Sequence, residues 1–487
     1  MTAPCDPHRW LLFARARLVW ACAAWSLLWM AAGCGAKPET APPPAAGSFR
    51  FATFNTALSR DEPGELASAL AMGADPQAKA VAEIIQRVRP HVLLIQEFDH
   101  DPSGRSLELF VELYLREAQA EDVAPIDYAY SFTPHVNTGQ LTGYDLDGDG
   151  SPSGPGDAYG WGAFPGQYGM AVLSQLPLDQ DRVRTFRNLR WTAMPGAGPP
   201  SGAFPRDAVP ALRLSSKTHA DVPVLLGDRA IHLLVSHPTP PVFDGPEDRN
   251  GVRNRDEVRL WAEYLTRAEP GGGPEWLVDD AGQPGRLPQD ALFIVLGDLN
   301  ADPKDGESLA DAAPRLLNHP RINTSLAPTS EGARLASLDQ GGANLTHQSP
   351  HEQDTADWDD APTRGSGNLR VDYALPSRGL LLSGAGVFWP DSAGPQAALL
   401  EASDHRIVWI DVQTPAVSVV DLGRPGETPI RPSAVRNVGW TPEHSESLRD
   451  RNAGWNPLYD REAGAPAPGS SAPGSRGSDA DDAPTSP

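Results

Sequence analysis

Short apolar runs, each bounded at one end by a carboxylate, amide or imidazole, recur along the chain: Phe51-Ala52-Thr53-Phe54-Asn55, Leu93-Leu94-Ile95-Gln96-Glu97, Leu233-Leu234-Val235-Ser236-His237, Val295-Leu296-Gly297-Asp298-Leu299-Asn300 and Ser403-Asp404-His405. Between the first two, Val81, Ile84, Ile85 and Val88 recur at helical spacing and Pro90 stops the helix, giving strand, helix, strand. Further apolar runs at 169–173, 222–226, 231–236, 292–296, 371–375 and 407–412 predict many short strands joined by long loops. Val258, Trp261 and Leu265 mark one more helix, on or just behind the run Arg249, Arg253, Arg255 and Arg259, whose charge Glu247, Asp248, Asp256 and Glu257 largely compensate. Two sheets flanked by helices fit this order best.

Composition narrows the picture. With 487 residues the chain fits one large domain plus appendages, and 40% hydrophobic residues suffice for its core. Fifty prolines and 46 glycines exclude a helical bundle. The formal charge of -23 disfavours broad binding of polyanions, which needs clustered Lys and Arg, but leaves room for a local basic cleft.

The ends read differently from the middle. Arg9, Arg15 and Arg17 precede an apolar stretch from Leu18 to Ala32, shorter than a comfortable membrane span, which ends Ala31-Ala32-Gly33-Cys34. Residues 1–34 are expected to be a signal peptide with a lipoprotein-type processing site that anchors Cys34 at the cell envelope; simple cleavage and an uncleaved anchor are the alternatives. The three cysteines, Cys5, Cys22 and Cys34, leave no pair for a disulfide in the mature domain. Residues 35–47, rich in Ala and Pro, read as a tether, and the domain is expected over 48–413. Trp440, Trp455 and Tyr459 fit an extended tail over 414–463 lying on the domain, and 464–487 lack the apolar residues needed for order.

Phosphoester hydrolysis needs a hard cation held by oxygen ligands and polarised donors around phosphorus. Glu97 ends a strand where a carboxylate can hold Mg2+; alone, it is more often a solvated strand end. Alternation puts Asp298 and Asn300 on one side, one able to take a proton from water and the other to orient it. His237 is, taken singly, more often a strand cap. Ser403-Asp404-His405 is, taken singly, equally a polar strand entry.

The segments FATFNT, VLLIQE, GMAVLSQLPL, LLVSHP, VLGDLNADP, RVDYALPS and SDHRIV resemble, in order and separation, the endonuclease/exonuclease/phosphatase superfamily, over roughly 48–413. The resemblance implies a DNase I-like fold, a four-layer α/β/β/α sandwich of two mixed sheets packed face to face with helices outside. It implies that Glu97 is the principal Mg2+ (or Mn2+) ligand, with Asn55 near metal and phosphate and Asp404 closing the metal side. It also implies that Asp298 positions or deprotonates water, Asn300 orients a phosphate oxygen, and His405, held by Asp372, stabilises the transition state, with His237 assisting at the leaving group or phosphate.

Two stretches fall outside that pattern. Asp145, Asp147 and Asp149 alternate like the start of a calcium-binding loop, but position twelve is Gly156, with Asp157 one residue later, so a structural Ca2+ and a solvated acidic loop both fit. Arg213, Lys217 and His219 can place cations near the cleft, although surface solvation is the commoner fate of each.

The expectation is an exported, metal-dependent phosphoesterase, first a nuclease or phosphodiesterase, second a lipid-headgroup or sugar-phosphate hydrolase, third a binding module that keeps the fold without catalysis. The expected partners are a phosphoester substrate, nucleic acid among them, and a membrane through the lipid anchor; no motif identifies a protein partner.

Overall fold

The computed structural model describes residues 39–413 apart from 228, 268–273 and 363–364, together with a two-residue strand at Arg436–Asn437. The signal segment 1–34, the start of the tether, the terminal 464–487 and, apart from that strand, the tail 414–463 with Trp440, Trp455 and Tyr459 lie outside the described residues.

Strand β1 (Phe49–Asn55) leads to helices α1 (Glu65–Leu70) and α2 (Pro76–Val88), then β2 (Val92–Gln96), α3 (Arg105–Phe110), β3 (Tyr130–Phe132) and β4 (Met170–Ser174). After β5 (Arg184–Thr185), β6 (His219–Leu226) and β7 (Arg229–Ser236) comes α4 (Arg249–Leu265), and then β8 (Leu292–Asp298). The rest comprises α5 (Ala312–Leu317), α6 (Glu331–Gln340), β9 (Ala356–Asp357), β10 (Asn368–Leu369), β11 (Asp372–Pro376), β12 (Leu381–Val387), β13 (Val408–Gln413) and β14 (Arg436–Asn437).

These strands make two mixed sheets, in the orders β12-β13-β1-β2-β4-β3-β14 and β11-β8-β7-β6-β5, and a separate β10-β9 ribbon. Each large sheet has a parallel pair at its centre, β1 with β2 and β7 with β8. Successive strand residues point to opposite faces, so a strand covered on both sides must be apolar throughout. Phe51, Val92 and Leu94 of one sheet meet Val222, Leu233 and Ile294 of the other in a shared core. Ala52, Phe54, Leu93 and Ile95 point the other way, onto Val81, Ile85 and Val88 of α2. Leu234, Phe293 and Val295 likewise pack outward onto Val258, Trp261 and Leu265 of α4. The layers run helix, sheet, sheet, helix, as expected.

Local chemistry fixes the ends of α2. The Asp75 side chain accepts from Ala78 N at 2.8 Å, Pro76 supplies the first turn, and Arg89 closes the helix at φ 54° ahead of Pro90. The expected tether is partly packed: Ala41 N donates to Arg87 O at 3.2 Å, and Arg50 Nη2 donates to Pro42 O at 2.6 Å. No helix among the described residues is long and apolar enough to cross a membrane.

Register positions the site. Asn55 lies opposite Gln96 and Asp372 opposite Asp298, so the functional side chains leave both sheets at one end. Gly297 is required there, because a Cβ at that position would overlap the carbonyl oxygen of Ser236 on the neighbouring strand.

Candidate active site

Asp298 is the meeting point. It ends β8 at 1% exposure, and its Oδ2 accepts from Asn55 Nδ2 at 3.1 Å across the gap between the sheets. The same oxygen lies 3.4 Å from His237 Nε2 and 3.6 Å from His405 Nε2. Its Oδ1 accepts the amide of Asn300 at 2.9 Å, and Asn300 turns there at φ 50°, a left-handed conformation that Asn tolerates. Burial pushes the Asp298 carboxyl up to about 6, against the pull of His405 and with the help of Asp372.

His405 is held from behind. Its Nδ1 donates to Asp372 Oδ2 at 2.8 Å, and both side chains are buried. Asp372 is itself fixed at its backbone, since the amides of Val371 and Asp372 both donate to Thr355 Oγ1 at 3.0 Å. Burial opposes charge on His405, but the nearby Asp372, Asp298 and Asp404 prevail and raise its pKa to about 10. His405 therefore stands as an imidazolium at neutral pH. His237 is the opposite case: burial, reinforced by Lys217 and His405, holds its pKa well below the ordinary imidazole value, so it stays neutral. Among the described residues its Nδ1 is buried without a partner.

On the other side of Asn55 stands Glu97, half-buried, at φ 54° just past β2. Burial raises its pKa, while His405, the hydrogen bond from Asn55 and Lys217 work against that rise. Asp404 is exposed and accepts Trp358 Nε1 at 2.9 Å, a contact that no feature of the sequence signalled. Among the described residues Glu97 forms no ion pair within 4.0 Å. An uncompensated carboxylate beside an amide and an exposed carboxylate is an oxygen donor set suited to a hard divalent cation. In the tight group Asp298, Asp372 and His405, with ligand atoms within 4.8 Å of one another, the His405 Nδ1 is instead engaged by Asp372 Oδ2.

All eight residues singled out at the strand ends thus stand at one end of the two sheets. Beyond Glu97, Arg213, Lys217 and His219 depart from the solvated state expected of each singly: all three are buried. Arg213 and Lys217 line a cavity of about 630 Å³ beside Glu97, with Tyr159, Trp161, Tyr168 and Trp191. His219 is a core residue, its Nδ1 2.7 Å from Ser215 Oγ and its Nε2 2.9 Å from Glu257 O. The compensation expected along α4 is also incomplete. Arg249, Arg255 and Arg259 pair with Glu247, Asp256 and Glu263, but Glu257 turns inward to the amides of Ser216 and Thr239, leaving Arg253 in the cavity wall. Only the basic stretch 213–219 just ahead of β6 signalled this wall in the sequence.

The Asp145, Asp147 and Asp149 carboxylates lie within 4.8 Å of one another. They accept backbone N–H groups of their own loop, those of Gly148 and Gly150 for Asp145, Asp149 for Asp147 and Ser151 for Asp149. Asp157 does not join them, because it accepts the amides of Leu146 and Gly154.

A search of curated protein sequences finds no relative. Among solved structures, an endonuclease/exonuclease/phosphatase protein from Beutenbergia cavernae is similar at a TM-score of 0.40 and 17% identity, over 75% of this chain and 72% of that one. Sphingomyelinase C from Streptomyces griseocarneus is similar at 0.39 and 16%, over 75% and 99%. The human Nocturnin catalytic domain is similar at 0.37 and 16%, over 77% and 99%. A sequence model described as the Endonuclease/Exonuclease/phosphatase family matches residues 52–405. That match begins within β1, ends at His405 and takes in every residue gathered around Asp298, so the chain belongs to this family and is a metal-dependent hydrolase of phosphoester bonds.

Proposed function

We propose that the protein is an exported phosphodiesterase that cleaves a nucleotide ester or a single-stranded nucleic acid by in-line attack of water, with Mg2+ or Mn2+ as its cation. The observation that carries this reading is the convergence on Asp298 Oδ2 of Asn55 Nδ2 at 3.1 Å, His237 Nε2 at 3.4 Å and His405 Nε2 at 3.6 Å.

Asp298 takes the proton of the attacking water, and its raised pKa makes it a better base than a free carboxylate. Asn300 orients a phosphate oxygen. The His405 imidazolium, fixed by Asp372, faces the charge that builds on the pentavalent phosphorus. Neutral His237 hydrogen-bonds the phosphate or the departing oxygen. Glu97, Asn55 and Asp404 would hold the cation, which when bound neutralises phosphate oxygens and favours attack by water.

The cavity supports the substrate class. Its aromatic wall suits stacking of a single unpaired base, and its cations lie inside a pocket rather than along an open face fit for duplex DNA. A lipid-headgroup substrate is favoured instead by Trp161 and Phe243, which line the cavity yet are 62% and 88% exposed. Export and lipid attachment rest on the pattern from Arg9 to Cys34. A structural Ca2+ at Asp145, Asp147 and Asp149 is part of the same reading, supported by their clustering.

The test is product release from plasmid DNA, RNA, bis-p-nitrophenyl phosphate, sphingomyelin and p-nitrophenyl phosphate, with Mg2+ and with chelator. Metal-dependent cleavage of nucleic acid or the diester supports the reading. Cleavage confined to sphingomyelin or the monoester moves it to the alternative, and no turnover at all leaves a binding module.

A further inference from the structure

A buried guanidinium without a carboxylate partner is costly unless an anion meets it. Arg213 is 8% exposed. Its Nη1 donates to two neutral amide oxygens, Asn137 Oδ1 at 2.6 Å and Gln140 Oε1 at 2.9 Å, and its guanidinium lies 4.0 Å over the Tyr159 ring. Among the described residues its Nε is buried with no partner. Arg253 directs its donors to three carbonyls, those of Leu214, Tyr159 and Arg213. Lys217 is 7% exposed and interacts electrostatically with Glu257, Glu97 and Asp298.

Among the described residues none of Arg213, Arg253 and Lys217 forms an ion pair within 4.0 Å. The nearby carboxylates are engaged elsewhere. Glu257 takes the amides of Ser216 and Thr239, and Asp280 takes the Thr185 hydroxyl and the amides of Arg187 and Asn188. Asp147, on the cavity wall, takes the amide of Asp149.

The cavity thus holds more positive charge than a single scissile phosphate needs. Lys217, which interacts electrostatically with Glu97 and Asp298, is the cation of this wall coupled to the reaction centre. Arg213 and Arg253 are set in the wall with Tyr159 and Trp191. We propose that Arg213 and Arg253 form a second anion subsite, so that the preferred substrate is a phosphoester whose organic group carries another phosphate. Guanidinium donors match phosphate oxygens in geometry, and the adjoining aromatic rings cover the group that links the two phosphates. The inference rests on the phosphoesterase reading above and narrows its substrate.

The experiment is titration of the full chain, in chelator, with adenosine 3′,5′-bisphosphate and with adenosine 5′-monophosphate, read by quenching of tryptophan fluorescence. The bisphosphate is expected to bind at least about tenfold more tightly, as for a charge-assisted contact of about 1.5 kcal/mol or more. Arg213→Gln is expected to reduce that preference to below about twofold, and Arg213→Lys to keep part of it. Equal binding of the two ligands by the unmodified protein, or an undiminished preference in Arg213→Gln, overturns the subsite. The comparison in the unmodified protein needs no variant, so it decides the matter even where Arg213→Gln fails to fold. Mg2+-dependent hydrolysis of bis-p-nitrophenyl phosphate is measured alongside: its absence sinks the phosphoesterase reading alone, whereas equal binding sinks the subsite alone.

Discussion

His405 Nδ1 lies 2.8 Å from Asp372 Oδ2, and both side chains are buried. The pair ties the segment entering β13 to β11 of the opposite sheet, and it sets the charge of the imidazolium that faces Asp298.

Asp372→Asn removes that charge while keeping the shape of the side chain. The alkaline limb of kcat/KM, expected near pH 10 from the raised His405 pKa, should move down toward 6.5, with turnover falling about 10²–10⁴-fold at pH 8. A pH–rate profile on bis-p-nitrophenyl phosphate checks both, and an unmoved limb removes Asp372 from the role.

The same pairing predicts a pH dependence of stability. The folded pKa of His405 is above its ordinary value, so the pairing contributes fully below pH 6.5 and is lost as pH rises through about 10. Urea midpoints measured from pH 6 to 10.5 should fall across that window, and Asp372→Asn should flatten the fall.

Asp298→Asn should lower kcat by about 10²–10⁴-fold while the protein stays folded, since it deletes the base and weakens the Asn55 hydrogen bond but keeps an acceptor for the Asn300 amide and leaves the apolar core untouched. Far-ultraviolet circular dichroism and the thermal midpoint distinguish this from collapse. Equal loss of structure and turnover would deny Asp298 a chemical role.

Chelation should abolish turnover, and Mg2+ or Mn2+ should restore it. Glu97→Gln should raise the half-saturating cation concentration at least about tenfold, on the scale of losing a partner in a metal site. Cation titrations of the two proteins give the answer, with an unchanged midpoint counting against Glu97.

Buried Arg50 of β1 lies opposite Asp411 of β13, its Nε and Nη2 each 2.8 Å from Asp411 oxygens and its guanidinium 3.9 Å over Trp409. Asp411→Ala leaves that charge unpaired and should destabilise the protein by about 3–5 kcal/mol. Urea unfolding measures it, and a loss below about 1 kcal/mol would put the pair in the class of surface bridges.

The central strands were legible because both of their faces are covered. Leu93 and Ile95 pack on α2, and Val92 and Leu94 pack on the other sheet, so the run shows no polar break. β12 was not legible: it lies at the sheet edge, is partly exposed, and carries Gly384 and Gly386, which leave room for Trp409. Asp298, His237 and Glu97 were legible because a polar residue closing a buried run is conspicuous. Arg213 and Lys217 were legible only as a basic stretch whose burial the sequence did not show, and Arg253 was not legible as part of the wall, because their cavity is assembled from stretches near 140, 160, 213 and 250, and no local pattern records which loops will meet. The contact of Trp358 with Asp404 is hidden for the same reason.

Asn55 belongs to one sheet and Asp298 to the other, and a single hydrogen bond joins them. Neither half of the molecule owns the reaction centre, so turnover is a gauge of how well the halves seat on each other. A substitution at the shared seam, such as Leu233→Ala, should therefore degrade catalysis while each sheet keeps its own ladder. In this chain catalysis is a property of alignment, and a spectroscopic measure of strand content would miss its loss.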